Sequence, residues 1–383
     1  MVCDKTNSDG FMRIALIAPV PPPYGGISNW TTIVLREFGR SEDVQVLPIN
    51  IAPNKRVADG RTLWHRVFYG VVSVLKAFKR LKSKDFRDLD VVHLVTSGSL
   101  ALFRDRAILA YCKKRNLPVV YHLHFGRLSD MECAASWEWR MMLKNMDSSS
   151  MVIVIDGKTR SALSEYLPER KVRFIGNPID ARRIPSNACY AASSRILMYL
   201  GWIVPTKGIG ELLDAWELVS DKYPGWEIRL VGPCAPGMRG LVEGRKLARV
   251  RLIGELPHME AMEMLSRSAV LLLPSYTEGF PNVVLEAMCC KVPVIATSVG
   301  AIPDLLAEGR GMVVPPKDAE SLASAMEEMM SNEELRNTMG LAAHKYVLRH
   351  FASSAVCREY EDAWRESIRL FAERRRRCDK HAF

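Results

Sequence analysis

"AVLLLPSYTEGFPNVVLEAM", residues 269–288, sets an apolar run against a helix start with a polar turn between them. The run "AVLLLP" has strand length and no polar interruption, as expected of a strand covered on both faces. Pro281 suits a first helical position, where a missing N–H costs nothing. The spacing therefore predicts a buried strand, a loop at its carboxyl end and a helix opening at Pro281. The N–H groups of Asn282 and Val283 then point out of the helix start, an arrangement that binds phosphate. Glu278 precedes the turn, and Glu286 lies just over one turn into the helix, where a carboxylate can accept two ribose hydroxyls. On these residues alone two readings stand: a nucleotide-binding strand–loop–helix unit, or an amphipathic helix with two solvated acids.

The same grammar extends in both directions. "MRIALIA" (12–18), "DVQVLPIN" (43–50), "DVVHLVT" (90–96), "PVVYHLH" (118–124), "SMVIVID" (150–156) and "KVRFIGNPID" (171–180) read as strands, separated by segments of helical period. "ARRIPSNACYAASS" (181–194) has weak periodicity and reads as a linker. "RILMYLG" (195–201), "WEIRLVG" (226–232), "VRLIG" (250–254), "AVLLLP" (269–274), "VPVIAT" (292–297) and "GMVVPP" (311–316) repeat the pattern, and the chain is helical from about Ala319 almost to its end. Strand–helix alternation with near-continuous apolar strands implies parallel sheets covered on both faces. The expected fold class is α/β, with two Rossmann-like domains facing across a cleft. Their expected bounds are 1–180 for the acceptor side, 181–194 for the linker and 195–352 for the nucleotide side. Residues 353–383 are expected to form a helix packing back toward the first domain, with a basic tail.

The composition fits this. The 383 residues exceed one typical domain, and 48% hydrophobic with 25% charged residues is ordinary for a globular chain. No apolar run has the length to span a bilayer, and the N-terminus does not resemble a secretory signal. Nine cysteines occur without a C-x-x-C or a His/Cys cluster, and adjacent Cys289 and Cys290 suit buried, reduced thiols. The expected compartment is reducing and cytoplasmic. A formal net charge of +10 allows nucleic acid, an anionic membrane or a phosphorylated substrate as partner. No basic–aromatic recognition module appears, which disfavours nucleic acid.

A second stretch bears on the choice. "YLGWIVPTKGIGELL" (199–213) runs strand, Gly201, loop, Lys207-Gly208, helix. A lysine at such a junction is a point charge for a diphosphate; standing alone, it reads more readily as a solvated loop residue. Asp88-Leu89-Asp90 leads straight into the strand "VVHLV" and reads as a strand-entry turn, not as a metal-binding D-x-D.

Lys207-Gly208 after a strand glycine, then Glu278 and Glu286 in E-x7-E, then "VPVIATSVGAIPDLL" (292–306), resemble the family 4 glycosyltransferases of the GT-B fold. The likeness is strongest over about residues 195–350. In the first half "GGISNW" (25–30), "VVYHLHFG" (119–126) and "GNPID" (176–180) stand at the family's usual places. The resemblance implies retaining, metal-independent transfer from a nucleotide-sugar donor, with no cofactor and no metal site. It puts Glu278 by the donor sugar and Glu286 on the ribose. Backbone groups of Gly279, Phe280, Pro281 (carbonyl only), Asn282 and Val283 would line the sugar and phosphates, beside Gly201. Lys207 would neutralise the leaving diphosphate. Gly25 and Gly26 would let the first loop approach phosphate and acceptor. His124, rather than His122, matches the family's histidine near the sugar; a strand-end histidine satisfied by backbone is the alternative for both. The chain departs from the pattern at Trp202, where an arginine is usual, and at Asp304, where a glutamate is.

The acceptor side is written in charge. Residues 61–84 carry seven Lys/Arg and no acid, with Trp64, Val67, Phe68, Val71, Leu75, Phe78 and Leu81 at helical spacing. This helix either covers the sheet with a basic outer face or lies on an anionic membrane. "ERRRRCDK" (373–380) is a basic tail with the same electrostatic option. The expected activity is transfer of a sugar, of hexosyltransferase type, to a glycan or polyprenyl-linked acceptor in bacterial surface polysaccharide, exopolysaccharide or lipopolysaccharide synthesis. The expected location is cytoplasmic, on the inner membrane face. A nucleotide-sugar epimerase of the same architecture, and a nucleotide- or glycan-binding subunit with weakened catalysis, are the alternatives.

Overall fold

The computed structural model describes residues 11–22, 25–52, 63–126, 131, 136–185 and 194–380, with side chains for all but 63–69 and 378–380. The chain forms two compact units. One runs to Pro178 and resumes at Ser353; the other is Ile179–Ala352. Most of the expected linker, residues 186–193, lies outside the described residues; Ala181–Arg183 form a single 3-10 turn.

In the first unit, chain order gives β1 (Met12–Ala18), α1 (Gly26–Phe38), β2 (Val44–Asn50), α2 (Leu63–Leu81), β3 (Val91–Thr96), α3 (Ala101–Lys114), β4 (Val119–Leu123), α4 (Trp137–Ser148), β5 (Met151–Val154), α5 (Gly157–Leu163) and β6 (Val172–Phe174). The second holds β7 (Ile196–Leu200), α6 (Ile209–Val219), β8 (Glu227–Val231), α7 (Pro236–Gly244), β9 (Val250–Gly254), α8 (His258–Ser266), β10 (Val270–Leu273), α9 (Asn282–Cys289), β11 (Val294–Thr297), α10 (Ile302–Leu306), β12 (Met312–Val314), α11 (Ala319–Ser331) and α12 (Glu333–His350). A last helix, α13 (Ser353–Lys380), packs in the first unit against α1, β3, β4 and β5.

Both sheets have six strands, ordered β2-β1-β3-β4-β5-β6 and β12-β11-β10-β7-β8-β9, and every pair is parallel. Burial follows position. Every residue of the inner strands β3, β4, β5, β10 and β11 is buried, whereas the edge strands β2 and β9 mix buried or half-buried positions with exposed ones. Central strands therefore read as near-continuous apolar runs because helices cover both faces. Helix starts are marked by side-chain caps: Asp156 accepts the Thr159 N–H at 2.7 Å, and Asp318 and Asn332 cap α11 and α12 likewise. Asp90 closes the strand-entry turn, its carboxylate accepting the Arg13 N–H at 2.8 Å.

Two sequence expectations shift. Helix α9 begins at Asn282, so Pro281 is its N-cap, with extended backbone (φ −75°, ψ 111°), rather than its first residue. In α2 the face turned to the core is made by Ser73, Ala77 and Leu81, with Phe78 packed at its margin, while Val71 and Leu75 face outward at 54% and 62% exposure. The apolar residues of this helix therefore do not form one buried stripe. Trp64, Val67 and Phe68 lie outside the described side chains.

Candidate functional site

In the second sheet the chain starts at β7, builds one side through β8 and β9, then crosses to β10 on the other side. Ligands in such sheets lie beyond the strand carboxyl ends where the order reverses, here between β7 and β10. The loops leaving those two strands carry Lys207 and Glu278. They are tied together by the Tyr276 N–H on the Thr206 carbonyl at 3.0 Å. Lys207 Nζ donates to Glu278 Oε1 at 2.5 Å, and Ser275 Oγ donates to the same oxygen at 2.7 Å. Both side chains are largely buried, 25% and 13% exposed. Tyr199 lies below this pair. Burial, reinforced by the Glu278 charge, raises its phenol well above the ordinary range, so it stays a donor and bonds the Trp202 carbonyl at 2.7 Å.

Two glycines make the close approach of these loops feasible. Gly208 is left-handed (φ +68°), and a Cβ there would fall 2.0 Å from the Pro274 carbonyl oxygen. It lets the Lys207 turn press on the end of β10 while opening α6. Gly300 (φ +55°), after β11, abuts the Glu278 turn: a Cβ would meet the carbonyl oxygens of Glu278 and Gly279 at 2.4 Å. The neighbouring Ala301 N–H donates to Gly279 at 2.9 Å, and Thr297 Oγ1 holds the Ser275 carbonyl at 2.5 Å. The carboxylate is thus fixed from three strands. Gly279, Phe280 and Pro281 continue the turn into α9, whose first residues are Asn282 and Val283, and Gly201 ends β7.

Glu286 is 8% exposed, inside α9. Its Oε1 meets His258 Nε2 at 3.1 Å, and Oε2 has no protein hydrogen bond among the described residues. His258 opens α8 and is a partner the sequence reading did not identify; so are Ser275 and Gly300. Only the Gly300 stretch carried a signal, as part of "SVGAIPDLL". Asp304 lies in α10, with its main-chain carbonyl held by Arg310 at 2.9 Å.

The first unit carries the remaining candidates at the carboxyl ends of its strands. Gly25 is the extended N-cap of α1 and Gly26 its first residue, with nothing within 4 Å of a Cβ built there. His124 follows β4, its N–H on the Thr96 carbonyl at 3.0 Å. Its ring packs edge-on to Trp30 of α1 (4.8 Å) and beside His122 (4.0 Å). His122 is fully buried within β4; His124 is half-buried at the strand end.

A relay fixes the protons here. Trp364 Nε1 of α13 donates to His93 Nδ1 at 2.9 Å, so a neutral His93 carries its proton on Nε2 and donates it to His122 Nδ1 at 3.1 Å. His122 then carries its own proton on Nε2. That atom and His124 Nε2 are enclosed without a hydrogen-bond partner. Burial drives all three imidazoles toward the neutral form, His93 and His124 to about 3. His124 therefore offers a neutral ring nitrogen, a hydrogen-bonding group rather than a cation.

No helix among the described residues is long and apolar enough to cross a membrane.

Two family profiles match the chain. "Glycosyltransferase Family 4" covers residues 29–183 and "Glycosyl transferases group 1" covers 190–346. An exopolysaccharide phosphotransferase of Streptomyces coelicolor is 29% identical over 60% of this chain, a stretch spanning only 24% of that protein. A putative teichuronic acid biosynthesis glycosyltransferase, TuaC of Bacillus subtilis, is 25% identical over 72% of this chain and 69% of its own length. Among solved structures, sucrose-phosphate synthase from Thermosynechococcus elongatus superposes with a TM-score of 0.76. It is 22% identical and covers 94% of this chain and all of that one, a likeness of fold.

Proposed function

We propose, on the premise that the chain belongs to the family 4 glycosyltransferases of the GT-B fold, that it moves a sugar from a nucleoside-diphosphate sugar to a glycan or lipid-linked acceptor, with retention of configuration. Its relation to enzymes of bacterial polysaccharide synthesis supports a role in building a surface or exported glycan. The observation that carries this reading is the Lys207–Glu278 pair at the reversal point of the second sheet, set by Ser275 and Gly300.

The pair explains how binding and chemistry are coupled. Lys207 and Glu278 neutralise each other in the structure. A diphosphate arriving at the two loops competes for Lys207, and its charge grows as the bond to the anomeric carbon breaks. Lys207 then follows the leaving group, and Glu278, held by Ser275, remains as a fixed negative charge beside a sugar carbon that is becoming positive. The cation that the leaving group needs is a side chain, so this reading calls for no metal ion. Glu286 Oε2 serves the ribose while His258 holds the other oxygen. In the first unit, the neutral His124 at the carboxyl end of β4 and the open space over Gly26 at the start of α1 serve the sugar or acceptor. The exposed cations of α2 hold the enzyme at the anionic inner face of the membrane.

A panel of nucleotide sugars, with a membrane-lipid extract as acceptor and released nucleoside diphosphate as readout, tests this. Release that needs both donor and extract is expected. Isomerisation of the donor without acceptor, or no release with any donor, overturns the reading.

A further inference from the structure

The first unit contains a cavity of about 560 Å³ at the amino ends of its strands. It opens where β4 begins, at Val119, whereas His124 follows the other end of that strand, about 16 Å away at ~3.3 Å per residue. Its floor is apolar, with Leu109, Leu117 and Phe371. Its rim carries six cations: Lys113 of α3, Arg170 and Lys171 before β6, and Arg374, Arg375 and Arg377 of α13. Two carboxylates, Asp147 and Glu373, share the rim.

The charges do not balance. Glu373 is taken by Arg170 at 3.3 Å. Lys171 Nζ and Arg374 both donate to one acceptor, the Asp147 carbonyl oxygen, at 2.9 and 3.0 Å, and the Asp147 carboxylate stands 3.9 Å from Lys171. The carbonyl ends of α3 and α4 also face this region and add about half a negative charge each. Leaving Arg377 aside, five cations against two carboxylates and two helix ends leave roughly two positive charges around one cavity. Capping the helix ends uses part of this charge and does not exhaust it. Lys171 is only 12% exposed, and burial pulls its ammonium down to about 8; Asp147 opposes this, and Arg374 adds a smaller push downward.

We propose that this cavity binds a multivalent phosphate anion, a diphosphate or longer, free or as the head of a larger molecule. The volume suits a ligand of nucleotide size, the apolar floor suits the body of such a ligand, and the rim offers guanidinium groups that take phosphate oxygens in pairs. The site is separate from Lys207 and does not depend on the reading of the second unit.

Calorimetric titration of the full chain with inorganic tripolyphosphate at pH 8 and low salt tests it. The double variant Lys171→Gln/Arg375→Gln should lose at least about tenfold in affinity. The charge-matched pair Lys246→Gln/Lys345→Gln, on exposed positions of the second unit, and Lys207→Ala should keep this binding event. Anion binding should also restore the Lys171 proton, so at pH 8 wild type takes up about half a proton, read from enthalpies in two buffers. Lys171 shares the cavity with Lys113, Asp147, Arg170, Glu373, Arg374, Arg375 and Arg377; uptake should vanish in Lys171→Gln and persist in Arg375→Gln. Arg375 is exposed, so its single variant keeps the test open if Lys171→Gln fails to fold. Phosphatidylcholine vesicles with and without phosphatidic acid separate the sources. Sedimentation that tripolyphosphate competes away, and that the double variant loses, assigns a lipid head; titration without sedimentation assigns a free phosphate. Equal losses in the two double variants would make the effect diffuse charge, and loss in Lys207→Ala alone would move the anion to the second unit; either overturns the proposal.

Discussion

At the residue scale, the site is decided by who holds Glu278. Its carboxylate accepts from Lys207 and Ser275, and its turn is pressed by Gly300. If the diphosphate must take Lys207 away from Glu278, neutralising that carboxylate should help binding and hurt chemistry together. Glu278→Gln is expected to tighten nucleoside-diphosphate affinity by up to about tenfold, since one charged hydrogen bond is no longer broken and one repulsion is removed. Turnover should fall by more than tenfold, because the developing charge on the sugar loses its partner. Calorimetry and initial rates on the one variant read both; weaker binding would mean the pair is not exchanged. Lys207, Glu278 and Glu286 were legible in the sequence because they stand at fixed offsets from a strand end, a glycine and a proline. Ser275 and His258 were not, and Gly300 only as part of "SVGAIPDLL", although all three sit in plain view. Their roles arise from contacts across 3 to 28 positions that no local pattern encodes.

At the element scale, strands were read more securely than faces. The near-continuous apolar runs of β3, β4, β10 and β11, interrupted by His93 in β3 and His122 in β4, follow from cover on both sides. Helix α2 shows where that logic stops. Its apolar residues suggested one stripe, but the structure turns the small residues Ser73 and Ala77 to the core and leaves Val71 and Leu75 outward. The buried face mixes small and large residues, Ser73, Ala77 and Leu81, so hydrophobicity alone does not mark it. The outward face now joins two apolar residues to the exposed cations Lys76, Lys79, Arg80 and Lys82, which is what an interfacial helix requires. Replacing these four by Gln is expected to reduce sedimentation with anionic vesicles, at about 1 kcal/mol per cation near the surface. Added salt should do the same to wild type. Sedimentation of wild type that is indifferent to anionic lipid at low salt would remove α2 from membrane binding. The Pro281 register moved by one residue for a related reason: a proline fits either side of a helix boundary, and only backbone geometry distinguishes them.

At the scale of the whole molecule, alternation of strands and helices implied two parallel sheets, but not their strand order, which depends on pairings up to 77 residues apart, such as Ile14 with Val91 between β1 and β3. Nor did it show what α13 does in the first unit. There the helix buries Tyr360 and Trp364 completely, bonding the Trp30 indole and His93 and so fixing the imidazole relay beside His124. This has a consequence for stability. His93, His122 and His124 are held neutral by burial, with His93 and His124 lowered to about 3. In the unfolded chain a histidine takes a proton near pH 6.5. Above that value both states are neutral and these groups add no pH dependence. As pH falls from 6.5 toward 3 the unfolded state binds the extra protons, so stability is lost on the acid side. Each histidine contributes a slope of at most about 1.4 kcal/mol per pH unit, and the three together cost about 3 kcal/mol between pH 6.5 and 5.5. This window lies above ordinary carboxylate titration. Denaturant unfolding followed by tryptophan fluorescence should show that loss, and His93→Gln should remove about a third of it. A first unit equally stable at pH 6.5 and 5.5 would mean that the imidazoles gain protons in the folded state, and the neutral relay behind His124 would have to be abandoned.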